Sequence, residues 1–207
     1  MITDITVVGD LGTNCYFAGD MNELFVIDPG ADADVLLEKI KKNGYKVKYI
    51  LLTHCHYDHI GASSRIKAET NAKIGIFEGE KDNFLNPSVT LSAYFGDAKK
   101  EAEPDFTFSD GEILKSGEFE FKVIHTPGHT SGSVCLLSGN TLFSGDTLFY
   151  LSFGRYDFPT GNLSDLSKSV NQKLFALNDD VVCYPGHGEK TTIGFEKQNN
   201  PLLRGAL

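Results

Sequence analysis

The sequence lacks any run of apolar residues that approaches the ~20 needed to span a bilayer. Its N-terminus lacks the basic region followed by an apolar stretch that marks an export signal. Low-complexity segments and long linkers are also absent, so nothing divides the 207 residues into parts, and this length suits one sizeable domain. We therefore expect a single soluble, cytoplasmic domain that covers residues 1–207.

Basic residues are outnumbered. The chain has 19 Lys and Arg against 28 Asp and Glu, which gives a net charge of -9. So acidic a chain is a poor default partner for nucleic acid or an anionic membrane. We expect neither as a partner, whereas the charge balance says little about small substrates.

Cysteine is used sparingly and without pairing. The four cysteines are widely spaced, no Cys-x-x-Cys pair occurs, and apolar or aromatic residues are their neighbours. Disulfides would imply export, for which the sequence has no signal. We expect buried, reduced thiols at Cys15, Cys55, Cys135 and Cys183.

Short apolar runs between turn residues predict strands, and apolar residues at helical spacing predict helices. The order is strand-rich, helix, strand, and then the same again, which favours two sheets packed face to face with helices outside. Other α/β arrangements stay open on this pattern alone. Strands are expected at 5–9, 14–18, 24–27, 49–52, 72–77, 119–124, 133–137, 141–144 and 181–184, and helices from Asp32 or Asp34 to Asn43, at 60–70 and at 163–177.

Residues 78–105 fit no such pattern. Asn86-Pro87, Phe95-Gly96-Asp97 and Pro104 interrupt every periodicity. We expect a surface excursion with helical turns, which could cover a functional site.

Three of the six histidines stand close together in Thr53-His54-Cys55-His56-Tyr57-Asp58-His59, directly after an expected strand. In an extended chain His54 and His56 point the same way and can bind one ion. Asp58 and His59 lie just beyond His56 in the chain and can bind a second ion. Imidazole and carboxylate groups suit zinc, and also iron or manganese. The alternative, an exposed polar loop, would require this cluster to arise by chance.

Two more histidines follow Pro-Gly turns. His129 stands in Thr-Pro-Gly-His and His187 in Pro-Gly-His-Gly, each after a strand-like run. Either alone could be a surface histidine, but the repeated turn aims both from a fixed backbone. Asp146, in Ser-Gly-Asp, also follows an apolar strand. It could cap a helix or bring a carboxylate to the same site.

These motifs resemble those of the metallo-β-lactamase superfamily: His-x-His-x-Asp-His at 54–59, Thr-Pro-Gly-His at 126–129, Ser-Gly-Asp at 144–146 and Pro-Gly-His-Gly at 185–188. Within it, the chain looks most like the short glyoxalase II-like hydroxyacylglutathione hydrolases. Residues 154–162 and the tail from 191 to 201 support that choice. The resemblance implies a four-layer αββα sandwich with the site at one edge, without a C-terminal helical glutathione-binding domain.

The resemblance also implies a centre of two divalent metal ions, zinc in the first place and iron or manganese as alternatives. Asp28, in Ile-Asp-Pro-Gly, would support the site from behind by holding a ligand in position, although its plain interpretation is a turn residue. Asp58 would be both a ligand and the catalytic residue. The implied first set is His54, His56 and His129, the implied second set is Asp58, His59 and His187, and Asp146 would bridge the two.

The implied activity is hydrolysis of a small-molecule thioester or ester, such as an S-acylglutathione-like substrate, by metal-bound hydroxide. No Ser or Cys nucleophile is needed, and strand alternation turns Cys55 away from the ions. One rival is a mononuclear iron persulfide dioxygenase, which would use His54, His129 and Asp146. His187 in Pro-Gly-His-Gly favours the hydrolase. The other rival is a non-catalytic metal-binding protein, which would tend to lose ligands, whereas here every expected position is filled.

The sequence indicates the identity of the substrate less clearly than it indicates the metal ligands. Without the helical domain, glutathione is not implied as the thiol part. Arg155 follows the Asp146 segment and is expected to bind a substrate carboxylate, although a surface arginine in a loop would have the same appearance. His125 falls outside the ligand set and is expected to play a structural role.

Overall fold

The computed structural model describes residues 2–95 and 101–200. A first mixed sheet of six strands consists of β1 (Ile2–Val8), β2 (Thr13–Asp20), β3 (Glu23–Ile27), β4 (Val47–Leu52), β5 (Lys73–Phe77) and β6 (Phe106–Phe108). These strands are hydrogen-bonded in chain order. The hairpins β1–β2 and β2–β3 are antiparallel, and β3 to β6 run parallel.

The second half of the chain builds another six-stranded sheet and a small hairpin. Its strands are β7 (Ile113–Ser116), β8 (Phe119–His125), β9 (Val134–Ser138), β10 (Thr141–Gly145), the hairpin strands β11 (Leu148–Phe149) and β12 (Ser152–Phe153), β13 (Val182–Pro185) and β14 (Thr191–Thr192). The sheet order is β14-β13-β10-β9-β8-β7, and only the β10–β13 pair is parallel among these described strands.

Helices connect the strands. They are α1 (Ala33–Asn43), α2 (Tyr57–Ile60), α3 (Ser63–Thr70), α4 (Lys81–Phe84), α5 (Ser92–Phe95), α6 (Leu163–Lys168) and α7 (Ile193–Asn199), with 3₁₀ turns at Glu78–Glu80 and Leu174–Ala176 and a π-helical segment at Ser169–Lys173. Across residues 2–95 and 101–200, no helix has both the length and the apolar character needed to cross a membrane.

Three buried clusters define four layers. Between the sheets, aromatic rings interlock: Phe121 packs edge-on against Phe25, with ring centroids 5.0 Å apart. On the outer face of the first sheet, Leu36 of α1 and Ile66 of α3 pack on the strands. On the outer face of the second sheet, Val170 and its neighbours do the same. The expected αββα sandwich is therefore present.

Strand direction brings the functional loops to one edge. β3 and β4 are parallel, and so are β10 and β13. β8 shares the direction of β10, because both are antiparallel to β9. The C-terminal ends of these five strands carry the motifs identified in the sequence, and the contacts between the motifs show that the two sheets meet there.

Most expected elements are present with shifted ends. The expected helix at 60–70 is divided, because α2 ends at Ile60 and α3 begins at Ser63. The expected helix at 163–177 is helical to Ala176, but as α6, a π-helical segment and a 3₁₀ turn in succession. The excursion at 78–105 contains the expected helical turns, and its residues 96–100 lie outside the described part. All four cysteines are buried and free, as expected.

Several elements were not expected, namely the strands β6, β7, β11, β12 and β14 and the helix α7. The strands have only two to four residues, too few for alternation to stand out. In α7 the buried residues include the charged Glu196 beside Ile193, so apolar spacing does not mark the helix. Its actual start signal is Thr192, whose side chain accepts a hydrogen bond from the Phe195 N–H.

Candidate metal centre

Seven side chains meet at the edge where the sheets join. They come from four segments: 53–59 after β4, 126–130 after β8, the residue after β10, and 185–188 after β13. The seven are the ligands expected from the sequence, namely His54, His56, Asp58, His59, His129, Asp146 and His187.

The first set consists of His54, His56 and His129, whose nearest ligand atoms all lie within 4.8 Å of one another. Nδ1 of His56 is only 2.8 Å from Nε2 of His129. Two unprotonated ring nitrogens at this distance repel each other unless a proton or a cation lies between them. All three side chains are buried. Their arrangement can hold one cation.

The second set lies beside the first. Nε2 of His187 is 3.2 Å from Oδ2 of Asp58 and 3.3 Å from Nε2 of His59. Nε2 of His59 is 3.5 Å from the same Asp58 oxygen. These three residues form a second group of ligand atoms within 4.8 Å.

Asp146 lies between the two sets. Its Oδ2 atom is 3.5 Å from Nε2 of His129 in the first set and 3.6 Å from Nε2 of His187 in the second. Its Oδ1 atom is 3.4 Å from Nε2 of His59. Asp146 is therefore the carboxylate that both sets can share, and it does not cap a helix, because a β-turn and the β11 strand follow it.

Buried atoms at the centre show that these residues fit a metal. Among the described residues, Nε2 of His54 and Oδ1 of Asp146 are buried at the centre without a hydrogen-bond partner. Buried polar atoms are nearly always partnered in folded proteins. A bound cation would supply the missing partner, and a set of imidazole and carboxylate ligands suits zinc, iron or manganese.

Each ring that faces the centre with Nε2 has an oxygen behind its other nitrogen. Nδ1 of His129 donates to the backbone carbonyl of Arg155 at 2.7 Å, and Nδ1 of His187 donates to the carbonyl of Leu11 at 3.1 Å. Nδ1 of His59 donates to the Asp28 carboxylate at 3.0 Å. Such partners fix the tautomer and the orientation of a metal-binding ring.

Asp28 is placed behind the second set, where the sequence analysis expects it. Besides His59, its carboxylate accepts hydrogen bonds from the Thr53 N–H at 2.8 Å and from the Thr53 hydroxyl at 2.7 Å. Its backbone is left-handed, with φ of 51°. One buried carboxylate thus links the end of β3, the end of β4 and a ring of the second set.

Residues that hold the His187 loop were missed by the sequence analysis. The Asn14 side chain donates to the carbonyls of Pro185 and Gly188, and the Tyr16 hydroxyl donates to Pro185 at 2.6 Å. The signal that could have revealed them is a polar residue at the buried start of an apolar strand. In the same region, the Thr13 hydroxyl donates to Oδ2 of Asp58 at 3.1 Å.

Glycine is required next to the centre. A Cβ atom on Gly186 would collide with the Asp146 carboxylate and lie 2.7 Å from the His59 ring. Only a residue without a side chain lets the 185–188 loop approach the bridging carboxylate so closely.

Burial decides the protonation state of His54 and His56 in the first set. It lowers the pKa of His54 well below its usual value and the pKa of His56 to about 3, with the neighbouring imidazoles adding to both effects. Both rings are therefore neutral at physiological pH, which is the form that binds a metal.

Charges dominate in the second set. For Asp58 and Asp146, burial alone would raise the pKa, but the nearby histidines, with His59 contributing most, together outweigh it and both pKa values are lowered. For His59, burial alone would lower the pKa, but the surrounding carboxylates outweigh it and the pKa is raised. The carboxylates thus create a negative field that favours a cation in this half of the centre.

Arg155 contributes its backbone rather than its side chain to the centre. The guanidinium binds both carboxylate oxygens of Asp157, at 2.9 and 2.8 Å, lies over the Phe158 ring and is exposed. Phe158 in turn contacts the His56 ring, with centroids 5.9 Å apart. The guanidinium is therefore near the first set but already paired, and an anionic substrate would have to compete with Asp157.

Cys55 and His125, which are not expected to be ligands, lie outside the ligand set in the structure. Cys55 is buried in the core on the outer face of the first sheet. His125 stacks on Phe77, and its Nε2 atom lies 3.0 Å from the Ser131 carbonyl.

A cavity of about 490 Å³ borders the second set. Asp58 forms part of its wall, next to Tyr57 and Phe95, whose rings stack with centroids 5.8 Å apart. Leu11 from the β1–β2 turn forms another part. Cavities of roughly 300–1,000 Å³ are typical of small-molecule sites.

The sequence matches the model of the metallo-beta-lactamase superfamily over residues 8–187. The chain belongs to this superfamily. It is 41% identical to the hydroxyacylglutathione hydrolase GloC of Haemophilus influenzae over 98% of each chain. The resemblance seen in the sequence motifs is confirmed.

Solved structures of the superfamily share the whole fold. The BLEG-1 B3 metallo-beta-lactamase superposes with a TM-score of 0.92 and 33% identity, over 99% of this chain and 100% of that chain. TTHA1623, solved in a di-iron-bound form, gives 0.88 and 31%, over 97% and 100%. ETHE1 from Myxococcus xanthus gives 0.82 and 29%, over 99% and 85%. The metallo-β-lactamase type of sandwich is thereby confirmed.

We predict that Asp28→Asn weakens metal binding by the second set roughly 10- to 100-fold, because the buried carboxylate no longer orients His59. The fold should persist, since asparagine tolerates a left-handed backbone. Competition with a chromophoric chelator measures the affinity for each ion. The matched control is Asp32→Asn, which changes another left-handed aspartate (φ of 52°) whose carboxylate binds the Gly9 N–H. Unchanged affinity for both ions in Asp28→Asn would contradict the prediction.

Proposed function

We propose that this protein is a metal-dependent hydrolase with a binuclear centre that cleaves thioesters, of which S-acylglutathione-like molecules are the first class to test. The observation that carries the proposal is the geometry of Asp146, which lies within 3.6 Å of ring nitrogens from both ligand sets. A shared carboxylate between two sets of three ligands is the arrangement that two adjacent ions require.

Two divalent ions held there would supply an activated water at neutral pH and would polarise the carbonyl of the substrate. The protein itself needs to provide no covalent nucleophile. The thiol nearest the ligands, Cys55, is buried in the core, and burial raises its pKa well above the usual value. It therefore stays protonated and out of reach of a substrate.

Asp58 connects the ligand set with the cavity. Its Oδ2 atom is held by Thr13 and lies beside His187, while the residue also forms part of the cavity wall. Among the seven residues of the centre, it is the one that lines this cavity. We therefore assign to Asp58 the catalytic role expected from the sequence, as the ligand that meets the reacting part of the substrate.

The walls of the cavity indicate which part of a substrate they suit. Tyr57 and Phe95 offer ring surfaces, and Asp10, Asp32 and Glu101 also line the cavity. Carboxylates disfavour an anion nearby. We propose that the cavity takes an uncharged part of the thioester and that an anionic part lies towards Arg155.

The comparisons support the hydrolase over its rivals to different degrees. The Haemophilus influenzae relative is a hydroxyacylglutathione hydrolase by name, and hydroxyacylglutathiones are thioesters. The persulfide dioxygenase alternative needs only His54, His129 and Asp146. It would leave the second set without a role, although the three residues of that set lie within 4.8 Å of one another. The similarity to the BLEG-1 structure makes β-lactams a further substrate class to assay.

Metal analysis combined with a substrate panel tests the proposal. Protein loaded separately with zinc, iron or manganese is expected to hold two ions per chain and to hydrolyse thioesters faster than a β-lactam. Oxygen uptake with a persulfide serves as the counter-assay. One iron per chain together with oxygen uptake would favour the dioxygenase, and metal binding without turnover of any substrate would favour a non-catalytic role.

We predict that Asp146→Ala abolishes thioester hydrolysis while the chain still folds, because the bridging carboxylate is shared by both sets. Circular dichroism checks the fold, and metal analysis should show the loss of at least one ion. Asp110→Ala, which removes a carboxylate that accepts a hydrogen bond from the His125 N–H outside the centre, serves as the control and should keep full activity. Near-normal turnover of Asp146→Ala at full metal occupancy would exclude a bridging role.

We predict that Arg155→Ala raises KM for an anionic thioester roughly tenfold and spares kcat, because a contact remote from the reacting carbonyl is equally strong in the ground and transition states. A neutral thioester of similar size should be almost unaffected. Asp157→Asn releases the guanidinium from its ion pair and should lower KM for the anionic substrate only. Equal losses on both substrates in Arg155→Ala would mean that Arg155 supports the loop and does not bind the substrate.

A further inference from the structure

Glu80 is a buried carboxylate that the proposed function does not use. It ends the 3₁₀ turn after β5, and 0% of its surface is exposed. Its Oε2 atom has no hydrogen-bond partner among the described residues. Burying a carboxylate is costly, so we expect a buried glutamate to have a structural or functional role.

The other oxygen of Glu80 binds the turn that follows His129. Oε1 accepts a hydrogen bond from the Gly132 N–H at 2.8 Å and a short one from the Thr130 hydroxyl. Within the turn, the Ser133 hydroxyl oxygen accepts a hydrogen bond from the Thr130 N–H at 3.0 Å. A Cβ atom on Gly132 would lie 2.9 Å from the backbone nitrogen of Glu80. The turn is therefore folded tightly around this carboxylate.

The turn is also tied to the segment that carries the other two ligands of the first set. Just after the turn, the Val134 N–H donates to the Thr53 carbonyl at 2.9 Å, and His54 and His56 follow Thr53 in the chain. A shift of the turn would therefore reach the backbone beside those two ligands.

We propose that Glu80 is a positioning residue for the first ligand set: it fixes the turn at 130–133 and thereby the distance between His129 and His56. Without the carboxylate, the Gly132 N–H and the Thr130 hydroxyl would lose their buried acceptor, and the turn would shift. The proposal rests on the proposed function only in assigning a metal ion to this set.

The second ligand set has supports of its own. Asp28 holds His59, and Asn14 and Tyr16 hold the loop of His187. None of these contacts involves the turn at 130–133. A change at Glu80 should therefore weaken the binding of an ion in the first set and leave the binding of an ion in the second set unchanged.

Zinc affinity measured one set at a time tests the proposal. Asp58→Ala damages the second set, and His56→Ala damages the first. In the Asp58→Ala background, adding Glu80→Ala is expected to weaken zinc binding at least roughly tenfold, as loss of a supporting hydrogen bond does in metal sites. In the His56→Ala background, the same change should alter zinc affinity by less than about twofold, because Glu80 shares no contact with the residues that support the second set. Competition with a chromophoric chelator provides the readout.

Three further variants separate positioning from a general loss of stability. Glu80→Gln keeps an acceptor oxygen for the turn and should restore most of the affinity. Thr130→Val removes one donor to Glu80 and should weaken zinc binding by the first set. This variant provides the test if the Glu80→Ala protein does not fold. Glu196→Ala is the matched control, because Glu196 is also a buried glutamate (1% exposed) but binds Thr191 and Leu151 away from the first set. It should leave zinc affinity in the Asp58→Ala background unchanged.

Equal weakening in both backgrounds, or none in either, would overturn the proposal. Failure of the proposed function has a different signature: a wild-type protein that binds zinc in both sets but hydrolyses no thioester. In that case the effect of Glu80 on zinc affinity would stand, because its measurement does not depend on turnover.

Discussion

The orientation of the imidazole rings depends on the oxygen atoms behind them. A histidine that binds a metal through one nitrogen must have its other nitrogen protonated, and a buried N–H needs an acceptor. The acceptors are a carboxylate for His59 and backbone carbonyls for His129 and His187. Two of these three acceptors belong to the backbone, so the positions of the loops at Arg155 and Leu11 decide where two rings point, whatever side chains those loops carry.

Strand direction then determines which loops can take part. Five strands end at the same edge, and the apolar interior between the sheets, with Phe25, Phe121 and Phe143 fully packed, holds the two sheets in register there. The first set spans both sheets, since His54 and His56 follow β4 while His129 follows β8. The second set also spans both sheets, because Asp58 and His59 follow β4 and His187 follows β13, so a disturbance of the sheet packing would change distances in both sets.

The sequence was informative where chemistry needs rare residues at fixed spacing, and less so where backbone geometry does the work. The histidine cluster after an apolar strand and the repeated Pro-Gly-His turn predicted six of the seven residues that converge, and Asp146 was predicted from its Ser-Gly-Asp motif and the family resemblance. Asn14 and Tyr16 stand out as polar residues at the start of an apolar strand, but their partner could not be predicted, because their contacts with Pro185 join residues that lie 171 and 169 positions apart along the chain. The burial of Glu80 could not be predicted either, because nothing in Glu78-Gly79-Glu80 marks which glutamate is buried. The short strands β6 and β7 exist through pairing with longer neighbours and carry little signal of their own.

Exposure at the centre is greatest at His187 and Asp58 of the second set, although His59 of the same set is fully buried. In the first set His54 is 1% exposed and His56 and His129 are each 3% exposed, whereas the His187 side chain in the second set is 26% exposed. The cavity also opens beside Asp58, in the second set. The proposed substrate would therefore meet the centre from the side of Asp58 and His187, while the buried first set adjoins the turn at 130–133, which Glu80 binds. Burial of the first set accounts for the low pKa values of His54 and His56, whereas the buried Asp146 keeps its charge because the nearby histidines together outweigh the effect of burial.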